Sequence, residues 1–403
     1  MNDLQLRLDF AKSAREVIAL RLGVHEDLLR TVLEKRHRLW KKRLEPKGCA
    51  LHSWNCPRRK EPIYVKMPGD REKTKLWPHM PECYRQFRIP REPLRQVQVA
   101  IAEHILRPLI ANLVLPIHHG FLEGRSVRTS ALVHYETGHE YFLRVDLASA
   151  FGQINHRRIE ALFRFGAGFG KEESKMLAAL VTPPGSDWGG LPQGAVTSPF
   201  IYVLVIDHLF STRVIPNLPG VMTVTAYADD FIFSSNEPFG PGRTRAVYRA
   251  FAKAGLRINT KKTLRFVRRG GAVRLPGVVI RPRDAESPLG LSRVKLEQIK
   301  VVLDEAAKGR VYADVARGNL SWLRFAYGDN RENWPTWVLL AAERYYASKW
   351  KRRRPSEADE EARSLCLSYR AEYIDWGPGE AWENLLLEPP PRLEDPSDVP
   401  DWL

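Results

Sequence analysis

VMTVTAYADDFIFSS (221–235) decides how the rest of this 403-residue chain is read. Two β-prone apolar runs meet at a polar tip, Tyr227-Ala228-Asp229-Asp230, which is the pattern of a β-hairpin. Adjacent carboxylates repel, and they are costly between apolar strands unless cations or water satisfy them. A tip that points into a cleft becomes favourable where divalent metal is held. Taken alone, an Asp-Asp pair also reads as an ordinary solvated turn.

Working outward, YFLRVDL (141–147) is a strand by its aromatic and branched content, and Asp146 ends it as the acids end the hairpin. If these strands are neighbours in one sheet, Asp146, Asp229 and Asp230 converge. That is the donor set of a two-metal phosphoryl-transfer site, with ions roughly 3.5–4 Å apart. Mg²⁺ suits carboxylate and phosphate oxygens, and Mn²⁺ is a possible substitute. Helices are expected from Asn155, over 172–182, from Pro199 to about Phe210 and over 243–254, with a Pro/Gly-rich loop from Pro183 to Gly194 and a further strand, RLPGVVI (274–280). That order fits an α+β fold whose sheet is covered by helices on one face.

The flanks differ in texture. Residues 2–45 and Leu94 to Leu115 carry helical periodicity, residues 61–90 read as hairpin-rich, and Ser292 to Tyr346 is again helical. Lys35 to Lys60 is basic with Trp40 and Trp54, which suits either a solvated helix face or a nucleic-acid channel. SKWKRRRP (348–355) is a second basic run, including Lys351, Arg352 and Arg353, and a Pro-rich acidic tail, expected to be flexible, follows Glu388. Lys and Arg outnumber Asp and Glu by 63 to 47, a net charge of +16 that favours a polyanionic partner and equally aids solubility. Cys49, Cys56, Cys83 and Cys366 are too scattered for a disulfide framework, so a reducing cytoplasm is expected. His52 lies near Cys49 and Cys56, but without a second close pair no zinc site is expected. The N-terminus shows no apolar signal region, and no apolar run approaches the roughly 20 residues that span a bilayer, so no membrane role is expected.

Several motifs in one order make a specific combination. YADD (227–230) resembles the catalytic box of reverse transcriptases, and RVDLASAFGQI (144–154) resembles their first catalytic box. LPQGAVTSPF (191–200) is similar to the family's Pro-Gln-Gly loop and following helix, and GFLEGRSVRTSALVH (120–134) to the Gly-Phe…Gly-Arg-Ser segment of bacterial members. INTKKT (258–263) and LPGVVI (275–280) are similar to the later palm boxes. The resemblance covers about residues 84 to 330 and is nearest to the retron-type and phage-defence-associated bacterial group. The chain departs from retrons at Ser130, where their Asn-Ala-x-x-His has asparagine, and at Leu275-Pro276, where their Val-Thr-Gly begins.

The resemblance implies a right-hand polymerase fold. It places a helical basic extension at 1–60, fingers at 61–135, and a palm at 136–285 whose antiparallel sheet is backed by helices (residues 155–195 contributing to the fingers). A helical thumb follows at 286–350, and a C-terminal extension at 351–403. It implies RNA-directed DNA polymerase activity on dNTPs, with an RNA template, possibly a dedicated noncoding RNA, and a DNA product, in a cytoplasmic antiphage system. Asp146 and Asp229 would hold the two metals, Asp230 would support them, and the Leu147 carbonyl could add a ligand. Phe151 falls where the family places a steric gate against the ribose 2′-hydroxyl, and Gln193 and Gly194 would flank the nascent base pair. Lys262 is a candidate proton donor or phosphate contact, or a solvated lysine. Arg85, with Arg91, lies in a segment resembling the strand that contacts the triphosphate. Tyr227 would pack near the primer end or against the sheet, and His134 would contact RNA or cap a helix. Arg125 and the run Lys351, Arg352 and Arg353 would bind nucleic acid, and Trp322 would anchor the thumb core.

Three other readings stay open. An untemplated DNA polymerase or terminal transferase would use the same acids. An RNA-dependent RNA polymerase would also pair aspartates, though Phe151 would leave it too little room for the 2′-hydroxyl. An inactive RNA-binding scaffold would not need the acids. Oligomerisation and an effector protein cannot be read from the residues.

Overall fold

The computed structural model describes residues 13–46, 63–65, 74–76, 84–113, 115–185, 190–268, 271–275, 277–283, 285, 287–311, 313–328 and 331–348. Its strands are β1 (Trp40–Pro46), β2 (Ile63–Val65), β3 (Thr74–Leu76), β4 (Tyr84–Pro90), β5 (Tyr141–Asp146), β6 (Thr223–Tyr227), β7 (Asp230–Ser235), β8 (Leu264–Val267), β9 (Val273–Leu275), β10 (Val278–Ile280) and β11 (Leu289–Gly290). The central sheet is antiparallel with the order β6-β7-β5-β8. Strand alternation then divides its side chains between two apolar faces.

One face presents Leu143, Val145, Phe231 and Phe233 to the helices Ser198–Leu209 and Pro241–Lys253. Phe210, Phe231 and Phe251 interlock there, with ring centroids 5.2–5.7 Å apart. Each such ring contributes roughly 1.5–3 kcal/mol by leaving water. The other face is covered too, contrary to the one-sided expectation. Phe142 and Ile232, 0% and 3% exposed, pack under the helix Val127–Thr137 and the small sheet β11-β10-β9. The Val127–Thr137 helix starts on a Ser126–Thr129 capping box and stops at the left-handed Gly138. Its cover ends short of Arg144, Asp146, Tyr227 and Asp230, which remain at the open end of that face.

The helix Ser198–Leu209 extends through further turns to Asn217, and Ser198–Asn217 is by length and composition apolar enough to cross a membrane. This corrects the expectation that no run reaches that size. Ile201, Tyr202, Val203, Leu204, Val205 and Ile206 are buried consecutively because core surrounds the helix on all sides.

Two other expectations need correction. Trp40–Pro46 is a strand, not the end of an N-terminal helix: it pairs antiparallel with β4 from Trp40↔Pro90 to Pro46↔Tyr84. The two preceding helices, Ala14–Leu22 and Glu26–Lys35, are as the periodicity requires. RLPGVVI is a hairpin and not one strand, since Val278 pairs with Leu275 across Gly277, whose φ of 82° is natural to glycine.

Three helices, Arg293–Ala307, Ala313–Tyr327 and Thr336–Ala347, share a core of their own that includes Ile299, Leu303, Leu323, Trp334 and Val338. Trp334, 3% exposed, anchors it, whereas Trp322 is 37% exposed and lies edge-on to Phe325 with the Lys295 ammonium 5.1 Å away. Arg128 ties this bundle to the Val127–Thr137 helix by donating to the carbonyls of Phe325 and Ala326.

Candidate active site

The register of β5 against β7 sets Asp146 directly opposite Asp230, and β6 turns into β7 through Ala228 and Asp229. Leu147 N–H donates to the Asp229 carbonyl at 3.0 Å, closing the strand end onto the turn. The Leu147 carbonyl, on the same side of extended backbone, therefore also faces the turn. The three carboxylates share one end of the sheet but are not equivalent. Both Asp230 oxygens accept from Arg144, Oδ1 from Nε at 2.8 Å and Oδ2 from an Nη at 3.0 Å, a bidentate and mostly buried pair. Asp146 is 3% exposed and lies 3.3 Å from the Lys262 ammonium, whose own side chain is 60% exposed. Burial pushes the Asp146 carboxyl up, Lys262 opposes the rise, and Asp230 adds to it. Asp229 is pushed up to about 6, by burial first and then by the charges of Asp146 and Asp230.

Thus two carboxylates, Asp146 and Asp229, are poised for a cation, while the third is already held by a guanidinium. Among the described residues no three His, Cys, Asp or Glu side chains form a metal-ligand cluster, in keeping with that division. The donor set fits a hard divalent ion. Two crowded carboxylates, Asp146 buried and Asp229 half-buried, gain most from added positive charge, and the exposed Lys262 occupies one of them as a displaceable cation.

Next to the acids lies an aromatic cluster. The Phe151 ring stacks on Tyr202 (5.2 Å, 29°), and Phe121 sits edge-on to both, at 6.1 Å from Phe151 and 6.5 Å from Tyr202. The Tyr202 hydroxyl donates to the Ala228 carbonyl at 3.1 Å, and its burial, with Asp229 nearby, raises the phenol well above its usual range. Phe121 has a φ of 64° and is 41% exposed. Gly190 lies against Phe151, since a Cβ there would fall 2.6 Å from the Phe151 carbonyl oxygen, and Leu191 N–H donates to that same oxygen. The loop then bonds outward: the Gln193 carbonyl accepts from Arg88 N–H at 2.7 Å, and Gly194 packs on Phe87 and Ile89 of β4. The segment Ile117–Gly120 runs beside β6, with His119 N–H on the Ala226 carbonyl and Ala226 N–H on the Ile117 carbonyl, both at 2.8 Å.

A sequence model described as reverse transcriptase (RNA-dependent DNA polymerase) matches residues 72–280, more than half of the chain. The chain belongs to the reverse transcriptase family. It is 29% identical over 265 residues to the Retron Mx65 reverse transcriptase of Myxococcus xanthus, covering 60% of this chain and 58% of that protein. It is 30% identical over 239 residues to the Retron Mx162 reverse transcriptase of the same organism, covering 51% of this chain and 48% of that one. The chain thus spans about half to three fifths of the length of these relatives. Among solved structures it is similar to an apo telomerase of Candida tropicalis, at 12% identity and a TM-score of 0.41, over 90% of this chain and 78% of that one.

Within the chain the remaining expected residues fall as follows. Tyr227, opposite Asp230 on β6, is 39% exposed at the open end of the sheet and not sunk into the core. Arg125 is exposed, one residue before the Ser126 cap. His134 neither meets RNA nor caps a helix: it is 0% exposed, with Nδ1 2.7 Å from Ser234 Oγ and Nε2 2.9 Å from Thr225 Oγ1. Burial first, then nearby cations, lower its pKa to about 3, so it stays neutral and stitches helix to sheet. The helix terminus that His134 was expected to cap is instead closed by Gly138. Lys262 is 60% exposed, so it is solvated as well as paired with Asp146. Arg85 belongs to β4, opposite Glu45, but its side chain lies outside the described residues, as do Lys351, Arg352, Arg353, Cys49, His52, Trp54 and Cys56.

Arg144, Tyr202, Phe121 and Gly120 were not singled out from the sequence. Arg144 carried a signal, since two residues before Asp146 on a strand it must share that residue's face. Phe121 and Gly120 lay inside a quoted motif without an assigned role. Tyr202, within a uniformly apolar helix, gave none.

Proposed function

We propose that the chain is an RNA-directed DNA polymerase that extends a DNA primer along an RNA template, using Mg²⁺, or Mn²⁺ in its place, held by Asp146 and Asp229. The observation that carries this reading is a buried and a half-buried carboxylate, both with raised pKa, beside an aromatic cluster in a chain of the reverse transcriptase family. Held by Asp146 and Asp229, divalent cations would supply the positive charge that acidifies a primer 3′-hydroxyl and neutralises a leaving pyrophosphate. The chain's own residues do the rest. Arg144 fixes Asp230, so that this carboxylate supports the turn electrostatically and does not compete with Asp229 for position. The Leu147 carbonyl faces the same turn and offers one more oxygen. Lys262 holds Asp146 in this structure, and with cations bound there its ammonium would be released toward the triphosphate. Phe151, backed by Tyr202, excludes a ribose 2′-hydroxyl, and Gln193 and Gly194 lie against the incoming base pair where glycine allows close approach.

In this reading the central sheet is the palm, β1 and β4 belong to the fingers, and the three helices from Arg293 to Ala347 are the thumb. The net charge of +16 supports a nucleic-acid partner. A dedicated noncoding RNA as template and a cytoplasmic antiphage role belong to this proposal by resemblance to the retron-type group alone; sequencing of co-purifying nucleic acid would test the template.

The direct test uses purified protein, a DNA primer, a defined RNA template, Mg²⁺ and dNTPs. Extension should copy the template, and Asp229→Ala with Asp230→Ala should abolish it. Extension that persists in the double variant removes the site, and product unrelated to the template removes the templated reaction.

A further inference from the structure

Ala228 is a non-glycine residue with φ of 55°, between Tyr227 and Asp229. A left-handed alanine persists only where its surroundings over-determine it. Two neighbours do so. Gly120 presses on the turn from one side, since a Cβ there would lie 2.6 Å from Ala228 N. Tyr202 holds it from the other, its hydroxyl donating to the Ala228 carbonyl at 3.1 Å. That hydroxyl sits on a side chain only 2% exposed, where a polar atom needs a partner. The same side chain carries the ring on which Phe151 stacks at 5.2 Å, and Phe121 closes the third side at 6.5 Å. One residue in the middle of the helix Ser198–Leu209, itself packed tightly in the core, therefore touches both the sugar-side ring and the carboxylate turn.

We propose that Tyr202 is a positioning residue that fixes the Phe151 ring and the Asp229 turn relative to each other, so that sugar selection and cation binding depend on one side chain. This rests on the polymerase reading, but its two halves separate chemically. Tyr202→Phe keeps the stacking ring and removes only the bond to Ala228. Tyr202→Leu removes the ring face as well.

Two readouts test it on the full chain. The first is Mn²⁺ affinity, measured at pH 8 by the paramagnetic resonance signal of free Mn²⁺, which needs no turnover. The second is the ratio of kcat/KM for dNTP over the matching rNTP in primer extension. Tyr202→Phe should weaken Mn²⁺ binding roughly three- to tenfold while leaving the nucleotide ratio within about twofold of the parent. Tyr202→Leu should also lower the nucleotide ratio, by roughly tenfold. A purely structural tyrosine would move the melting temperature and neither readout. Mn²⁺ binding unchanged in Tyr202→Phe overturns the link to the turn, and an unchanged ratio in folded Tyr202→Leu overturns the link to the ring. Should Tyr202→Leu not fold, Tyr202→Met fills the volume without a ring face and carries the same expectation. A parent protein that binds Mn²⁺ yet extends no primer counts against the polymerase reading alone, and the cation half is still decided.

Discussion

Asp229→Asn should make the metal-free protein more stable at neutral pH while ending its activity. The folded chain holds the Asp229 carboxyl at about 6 against an ordinary 3.8, because burial and the charges of Asp146 and Asp230 oppose ionisation. Unfolding removes that opposition. Between roughly pH 4 and 6 the unfolded chain has released a proton that the folded chain still keeps, so stability falls as pH rises through this window, and the penalty is complete above about 7. A shift of about two units at ~1.4 kcal/mol each sets the penalty at about 3 kcal/mol. Asparagine keeps the size and hydrogen-bonding capacity without the charge and should recover about 2–3 kcal/mol at pH 7.5, which for a chain of this length is a rise in Tm of about 3 °C. The assay is calorimetric melting of both proteins in EDTA at pH 7.5 and pH 4.5, then at pH 7.5 with millimolar Mg²⁺. The advantage of the variant should be present at pH 7.5, shrink at pH 4.5, and reverse in Mg²⁺, because the parent alone keeps the full ligand set. A variant less stable than the parent at pH 7.5 in EDTA, or an advantage that ignores pH, would refute the reasoning.

Gly120→Ala places a methyl 2.6 Å from Ala228 N and should reduce primer extension more than tenfold, at a stability cost of about 1–3 kcal/mol seen by denaturant titration. Arg144→Lys replaces a bidentate partner with a point charge, and the expected loss is about tenfold in kcat, with KM for dNTP little changed in steady-state kinetics. Phe151→Val should raise incorporation of ribonucleotides by at least tenfold, read by alkaline cleavage of the product. His134→Leu removes one partner each from the Ser234 and Thr225 hydroxyls, which keep His139 and Ser130, and should cost about 1–2 kcal/mol in denaturant melts, while RNA affinity at fixed salt stays the same.

What could be read from the sequence follows physical lines. The hairpin around Asp229 was legible because two β-prone runs and a charged tip are local features. The placing of Asp146 beside it followed from a repeated pattern, an apolar strand ending in an acid. The Arg144–Asp230 pair was not read, because it needs the register of β5 on β7, which depends on partners more than 80 residues apart in the chain. β1 was taken for helix for the same reason: its partner β4 lies some 40 residues on, and without it the basic run looks like a solvated helix face. The β9–β10 hairpin was within reach, since Pro276-Gly277 in the middle of an apolar run is a turn signal that the aliphatic residues outweighed. His134 was misjudged because a polar residue on a helix looks available until the sheet beneath supplies two hydroxyls spaced to receive it.

The short run Leu191–Gly194 is fastened at both ends. Leu191 N–H holds the Phe151 carbonyl at 2.9 Å, and the Gln193 carbonyl takes Arg88 N–H at 2.7 Å. A shift of the β1–β4 ribbon by more than about 0.9 Å stretches the second bond past its useful range, so the bond breaks or the run is dragged along. Dragging it pulls on the backbone of Phe151. The ribbon is therefore geared to the Phe151 backbone: a displacement of β1 and β4 is felt beside the carboxylates from a distance, through a strut four residues long.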